Sequence, residues 1–165
     1  TMGGSFGIKQ AKDALRQALY LSEKLRKPIQ LMWTREHEMQ NSYPMQMSQH
    51  RVQIGLDEKK YPEFWHHRIA ASHSAAHRDE FFRRWIKSED WGTRPAEPNC
   101  GDGFPPLYKV GKFDFQLKFE DLGIPSYNLR TTGSTQNCFV TESAVDELAH
   151  FAGADPLNYL SLIHI

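Results

Sequence analysis

Met47-Ser-Gln-His-Arg-Val-Gln-Ile-Gly-Leu56 and Glu63-Phe-Trp-His-His-Arg-Ile-Ala-Ala-Ser72 are two runs with β-type alternation. In the first, Val52, Ile54 and Leu56 recur at every second position, which places them on one face of a strand. The second is rich in aromatic and branched residues. Lys59-Lys60-Tyr61-Pro62 stands between the runs as a short connection, so an antiparallel pair is predicted. Outward from this pair, the pattern alternates irregularly. Gln10 to Lys24 repeats Ala and Leu at spacings of three and four, giving a helix with a small-residue face, ended by Lys27-Pro28. Ile29 to Arg35 reads as a short buried strand, His77 to Ile86 as an amphipathic helix, and Tyr108 to Phe119 as a strand.

Residues 90–106 are rich in Pro and Gly and are expected to form an irregular connection. A helix is expected from Thr141, as N-cap, to Phe151, with Gly153 just past its end. Asp155-Pro156 has the chemistry of an N-cap and first helical position for another short helix. Strands and helices without a βαβ rhythm predict an α+β domain with a mixed or antiparallel sheet and flanking helices.

The 165 residues suffice for one core, with 39% apolar and 12% aromatic content. Twenty basic residues balance twenty acidic ones, so global charge does not point to nucleic acid. No apolar stretch approaches the ~20 residues of a membrane-spanning helix, and the sequence does not fix a compartment. Cys100 and Cys138 have no CxxC spacing, so this chain by itself makes no cysteine-ligated zinc or iron–sulfur site.

Two glycine-containing loops stand before helical segments. Gly3-Gly4-Ser5-Phe6-Gly7-Ile8-Lys9 combines close backbone approach with a helix N-terminus, which favours an anionic group. It is neither a Walker A loop nor GxGxxG, and alone it fits a tight turn as well as a ligand loop. Arg130-Thr131-Thr132-Gly133-Ser134-Thr135-Gln136-Asn137 is the second, small and polar.

In order, the first loop, Trp33-Thr34-Arg35-Glu36, the Arg130 loop and the stretch Asp146 to Pro156 resemble the xanthine dehydrogenase and aldehyde oxidase superfamily. Its motifs there have the forms GGxFG, WTRE, RxxGxxQ and DELAHxxGxDP. The wording of the second loop and the long insertion between the loops are closest to isoquinoline oxidoreductase beta-type subunits. The resemblance implies a partial molybdenum-cofactor-binding domain over residues 1–159, its two loops clamping a molybdopterin, as the cytosine dinucleotide form in bacteria. By matching position, Gly4, Ser5, Phe6 and Gly7 would contact the cofactor, with Gly133, Ser134, Thr135 and Gln136 as the second cofactor loop. Arg130 would face the molybdenum or substrate as a fixed charge. The metal would be held by the pterin dithiolene and small oxygen and sulfur ligands, with no protein ligand. The cofactor would do the redox chemistry.

The implied reaction is hydroxylation of an N-heterocycle or aldehyde with oxygen from water. Electrons would leave through iron–sulfur clusters on a small partner subunit. Two positions depart from purine-oxidising relatives: Gln10 stands where they carry a glutamate, and Thr132 where they carry an aromatic ring. Both line the implied substrate pocket, and both argue against purines. The family's general base lies beyond the matched motifs, so the chain is expected to be a fragment inactive on its own. Leu160 to Ile165 replaces the arginine- and leucine-rich helix of relatives and resembles translated adapter sequence, so residues 160–165 are expected to be non-native. Two other functions remain open here: a non-catalytic phosphate- or nucleotide-binding domain, and a scaffold that docks a partner subunit.

Other signals favour ordinary structure. His73 and His77 share a helical face but lack a third ligand. His66 and His67 should point to opposite faces of a strand. Ser134 and Ser143 have no His/Asp partner arrangement. Glu142 and Glu147 read as ordinary helix positions, Cys138 as a packed residue beside a helix, and Trp33, Trp65 and Trp85 as core.

Overall fold

The computed structural model describes residues 6–7, 12–72, 98–120, 122–127 and 129–164. Among these, four α-helices and one three-stranded sheet make an α+β fold: α1 (Asp13–Leu25), α2 (Arg35–Asn41), β1 (Ser48–Leu56), β2 (Pro62–Ala71), β3 (Lys112–Phe119), α3 (Ser134–Ala152) and α4 (Pro156–Ile163). A single 3-10 turn spans Pro98–Gly101. The expected helix at 77–86, Trp85, and His73 with His77 lie outside the described residues.

The sheet order is β1-β2-β3, with β1 antiparallel and β3 parallel to β2. The expected antiparallel pair is present, closed by Asp57. Its carboxylate accepts from the amides of Lys59 and Tyr61, at 2.8 Å each, which is the Asx-type bonding that makes Asp a turn residue. Strand alternation then sorts the side chains. Trp65, His67, Ile69 and Ala71 on β2 face inward, beside Phe113, Phe115, Leu117 and Phe119 on β3 in the same register. Arg68, Lys112, Asp114, Gln116 and Lys118 fall on the opposite face.

The larger core cluster sets Trp65 against Val145, Leu148 and Ala149 of α3 and Tyr159 and Ile163 of α4. Trp65 is thus a core residue, as expected. A second cluster gathers Ile69, Ala71 and Cys100, with Phe104, Phe115 and Phe119 packed on it. Gly153 ends α3 in the left-handed region at φ 70°, where a side chain would be strained. The Asp155 carboxylate caps α4 by accepting from the Asn158 amide at 3.0 Å. Both terminal signals are borne out.

Four expectations are corrected. Ile29 to Arg35 is not a strand among the described residues: residues 29–34 belong to no ladder, Arg35 already opens α2, and Met32 is 85% exposed. Thr34 breaks the run because its hydroxyl accepts from the His37 amide at 3.2 Å and caps α2. Trp33 accordingly sits half-buried rather than in the core, its indole N–H donating to Gln17 of α1 at 2.8 Å. Thr141 is a buried residue inside α3, not its cap, since the helix already begins at Ser134. Cys138, expected to be packed, is exposed on α3.

Candidate functional site

The Arg130 segment reaches α3 through a tight turn. Thr131 and Thr132 take left-handed φ values of 69° and 44°, a conformation uncommon for residues with a branched Cβ. Hydrogen bonds hold them there. The Thr132 amide donates to Leu129 O and the Ser134 amide to Thr131 O, each at 2.9 Å. The Thr131 hydroxyl bonds that of Thr135, and the Thr132 hydroxyl donates to the Asp102 carboxylate at 2.5 Å.

Asp102 is itself fixed by α3. Asn137, buried in the first turns of that helix, donates from Nδ2 to the carbonyls of Cys100 and Asp102 at 2.9 and 2.8 Å. The turn after Pro98–Gly101, the Arg130 segment and the start of α3 are therefore one hydrogen-bonded unit.

The structure sets one described residue of the first loop against the second. The Arg130 guanidinium lies over the Phe6 ring, 5.0 Å from its centroid, a cation–π arrangement. Phe6 and Gly7 both have positive φ, 52° and 101°, so the chain turns sharply beneath Arg130. Gly4, Ser5 and Gln10 lie outside the described residues. Gly133 leads into α3 with ordinary helical angles. Ser134, Thr135 and Gln136, expected as loop, form the first turn of the helix. Residues with short polar side chains compete for backbone bonds and read as loop in sequence, yet here they start a 19-residue helix.

Gln136 reaches back to the start of the sheet. Its Nε2 donates to Gln46 O at 2.7 Å, while its Oε1 is buried with no hydrogen-bond partner among the described residues. Gln46, 5% exposed, has the same unmatched Oε1. Buried acceptors are nearly always paired, and these two are exceptions among the described residues.

Thr132, expected to line a substrate pocket, has its hydroxyl committed to Asp102. Sequence reading missed Asp102, Gln46 and Asn137 as site residues. Asn137 could have been found as the residue directly after the RxxGxxQ motif; the other two carry no local signal.

The chemistry away from this cluster is structural. His66 and His67 face opposite ways, as expected: His66 Nδ1 pairs with Asp114 at 2.6 Å, whereas His67 is fully buried. Among the described residues no group of three or more His, Cys, Asp and Glu side chains could hold a metal ion. Glu142 accepts the Tyr108 hydroxyl at 2.6 and 2.7 Å; burial, reinforced by this carboxylate, pushes the phenol up to about 12. A groove of about 1090 Å³ runs beside Val52, Ile54, Phe64, Glu147 and Phe151 but contains none of the candidate residues. No helix among the described residues is long and apolar enough to cross a membrane.

No family model matches the chain. Over 158 residues, 96% of its length, the chain is 23% identical to the isoquinoline 1-oxidoreductase subunit beta of Brevundimonas diminuta, and it spans 20% of that relative. The Arg130–Phe6 contact is thus found in a chain similar to about one-fifth of an oxidoreductase subunit.

Proposed function

We propose that the chain is a segment of the molybdopterin-binding subunit of a molybdenum hydroxylase, contributing both loops of the cofactor clamp. The observation that supports this reading is the contact of Arg130, in the second motif loop, with Phe6 of the first. The residues present fit the group. Gln46 and Gln136 offer unmatched acceptors for ligand N–H or O–H groups, and Arg130 offers positive charge toward an anionic ligand.

When bound, the cofactor supplies two-electron redox chemistry and delivers water-derived oxygen to an N-heterocycle or aldehyde. The chain's own residues hold and orient it. Phe6 and Gly7 would bring backbone close to the cofactor, and the motif assigns Gly4 and Ser5 to the same cofactor-binding role. Gly133, Ser134, Thr135 and Gln136 present the first turn of α3. Arg130 supplies a fixed charge at the reacting end. The general base belongs to another part of the subunit, and iron–sulfur clusters on a small partner take the electrons.

The test is to express the complete parent subunit with its iron–sulfur partner and measure molybdenum and released cytidine nucleotide. Both are expected in amounts comparable to the protein. Nucleotide or phosphate without molybdenum would instead establish a plain nucleotide-binding domain, and loss of both signals would end the oxidoreductase reading. On the same preparation, isoquinoline or benzaldehyde is expected to turn over faster than hypoxanthine, because Gln10 and Thr132 replace the purine-selecting residues. Faster hypoxanthine turnover would overturn that assignment. An aromatic ring at 132 would also lose the bond to Asp102, so substrate class and loop anchoring are linked at this position.

A further inference from the structure

Gln46 stands just before β1, in a segment that has no place in any of the motifs. Hydrogen bonds hold the backbone on either side of it. Two residues earlier, Pro44 O accepts from the Tyr127 amide at 2.9 Å. One residue later, the Met47 amide donates to Ser72 Oγ and Met47 O accepts from the Ser72 amide, each at 2.9 Å. Its own carbonyl accepts from Gln136. The side chain is buried, and its Oε1 has no partner among the described residues. A residue so constrained cannot easily swing its acceptor out to water. Leaving such an acceptor unmatched is unfavourable, and the neighbouring Gln136 Oε1 is unmatched in the same way. A site with two acceptors and one bridging carbonyl calls for a ligand edge rich in N–H donors.

Resting on the reading above, we infer that Gln46 is a cofactor-binding residue whose Oε1 accepts an N–H from the pterin, alongside Gln136. Pterins carry amino and ring N–H groups on one edge, the complement of two carboxamide oxygens. Gln46 thereby extends the clamp from the two loops to the entry of the sheet. It would also tie cofactor occupancy to the register of β1.

The discriminating variant is Gln46→Met, which keeps the side-chain shape and removes the acceptor. In the complete parent subunit, two quantities are measured: the rate at which pterin is lost on dialysis, followed by its fluorescence after release and oxidation, and the melting temperature of cofactor-free protein. Loss of one ligand hydrogen bond should speed pterin release on the order of tenfold. The cofactor-free variant should melt no lower than wild type, because an unmatched acceptor has been replaced by an apolar group.

Wild-type release kinetics in the variant would overturn the role of Gln46 and assign its acceptor to a buried water. A markedly lower melting temperature without cofactor would overturn it in favour of a structural role. Absence of pterin from the wild-type subunit would overturn the functional reading itself, which separates the two failures.

Discussion

Lowering the pH from 7 to 4 is expected to remove about 3 kcal/mol of folding stability, through His67 alone. His67 is fully buried on the inner face of β2, with Phe104 edge-on at 4.5 Å between ring centroids. Its protonation state is set by a chain of bonds with a defined direction. The Trp65 indole can only donate, and it does so to His67 Nδ1 at 3.4 Å. His67 must then carry its proton on Nε2 and donate to His50 Nδ1 at 2.9 Å. His50 in turn donates from Nε2 to Ser48 Oγ at 2.9 Å. Both imidazoles are therefore neutral with assigned tautomers, and a further proton on either would displace a bond.

Burial, reinforced by His50 and His66, lowers the His67 pKa from 6.5 to about 4, and burial lowers that of His50 as well. The sign follows directly. Below pH 6.5 the unfolded chain takes up a proton that the folded chain refuses, so stability is present above that pH and falls progressively to about 4. At about 1.4 kcal/mol for each tenfold change in proton affinity, the interval gives the stated loss. His50 acts in the same direction but is coupled to His67, so the two contributions do not simply add.

Urea midpoints measured at several pH values check this. The His67→Phe variant fills the same space without titrating and should show a much flatter pH profile. A wild-type profile that is flat between pH 6.5 and 4, or one left unchanged by the variant, would contradict the buried neutral pair.

The histidine pair also shows where the sequence was readable. Alternation in 47–72 revealed both strands and their pairing, and it correctly separated His66 from His67, because the two-residue period is a local property. That His67 would meet His50 depends on strand register, which puts Val52 rather than His50 opposite His67. The contact runs diagonally between neighbouring inward positions and leaves no mark in either strand's own pattern. Ile29 to Arg35 misled for the opposite reason: its apolar run was local, but the described residues offer no strand to pair with it. The helix caps at Gly153 and Asp155 were legible because capping chemistry is confined to a few adjacent residues.

At the candidate site, the same division holds. Arg130 and Phe6 stood out through motifs, and the fold brings them together. Asp102 and Gln46 act through partners thirty and ninety residues away, so no local pattern could identify them. The start of α3 was hidden by its composition: Ser134, Thr135 and Asn137 are residues that favour caps and turns, and tertiary hydrogen bonds decided in favour of helix. Gln136 and Asn137 need that helical spacing, since one reaches the sheet entry and the other the 100–102 turn.

Asn137→Leu is expected to cost about 2–4 kcal/mol and to loosen the Arg130 loop at the same time. The two side chains are similar in size, so the change removes donors with little change in packing volume. The carboxamide has its nitrogen toward Cys100 O and Asp102 O; an oxygen there would face two other acceptors. Without it, two carbonyls lose their partner, at about 1–3 kcal/mol for a buried one and less for the half-buried Asp102. The loss then propagates. Asp102, no longer fixed by α3, is a weaker anchor for the Thr132 hydroxyl, and the left-handed turn at Thr131 and Thr132 loses part of what holds it. Thr132→Val removes only that last bond, so it should cost less, by about 1 kcal/mol. Urea denaturation of the two single variants and their double measures the coupling. Because Asn137 acts on Thr132 through Asp102, the double variant should be more stable than the sum of the singles predicts. Full additivity would mean that the 100–102 turn and the Arg130 loop are independent. A cost below about 0.5 kcal/mol for Asn137→Leu, within the range of ordinary surface substitutions, would remove Asn137 as the link between the core and the site.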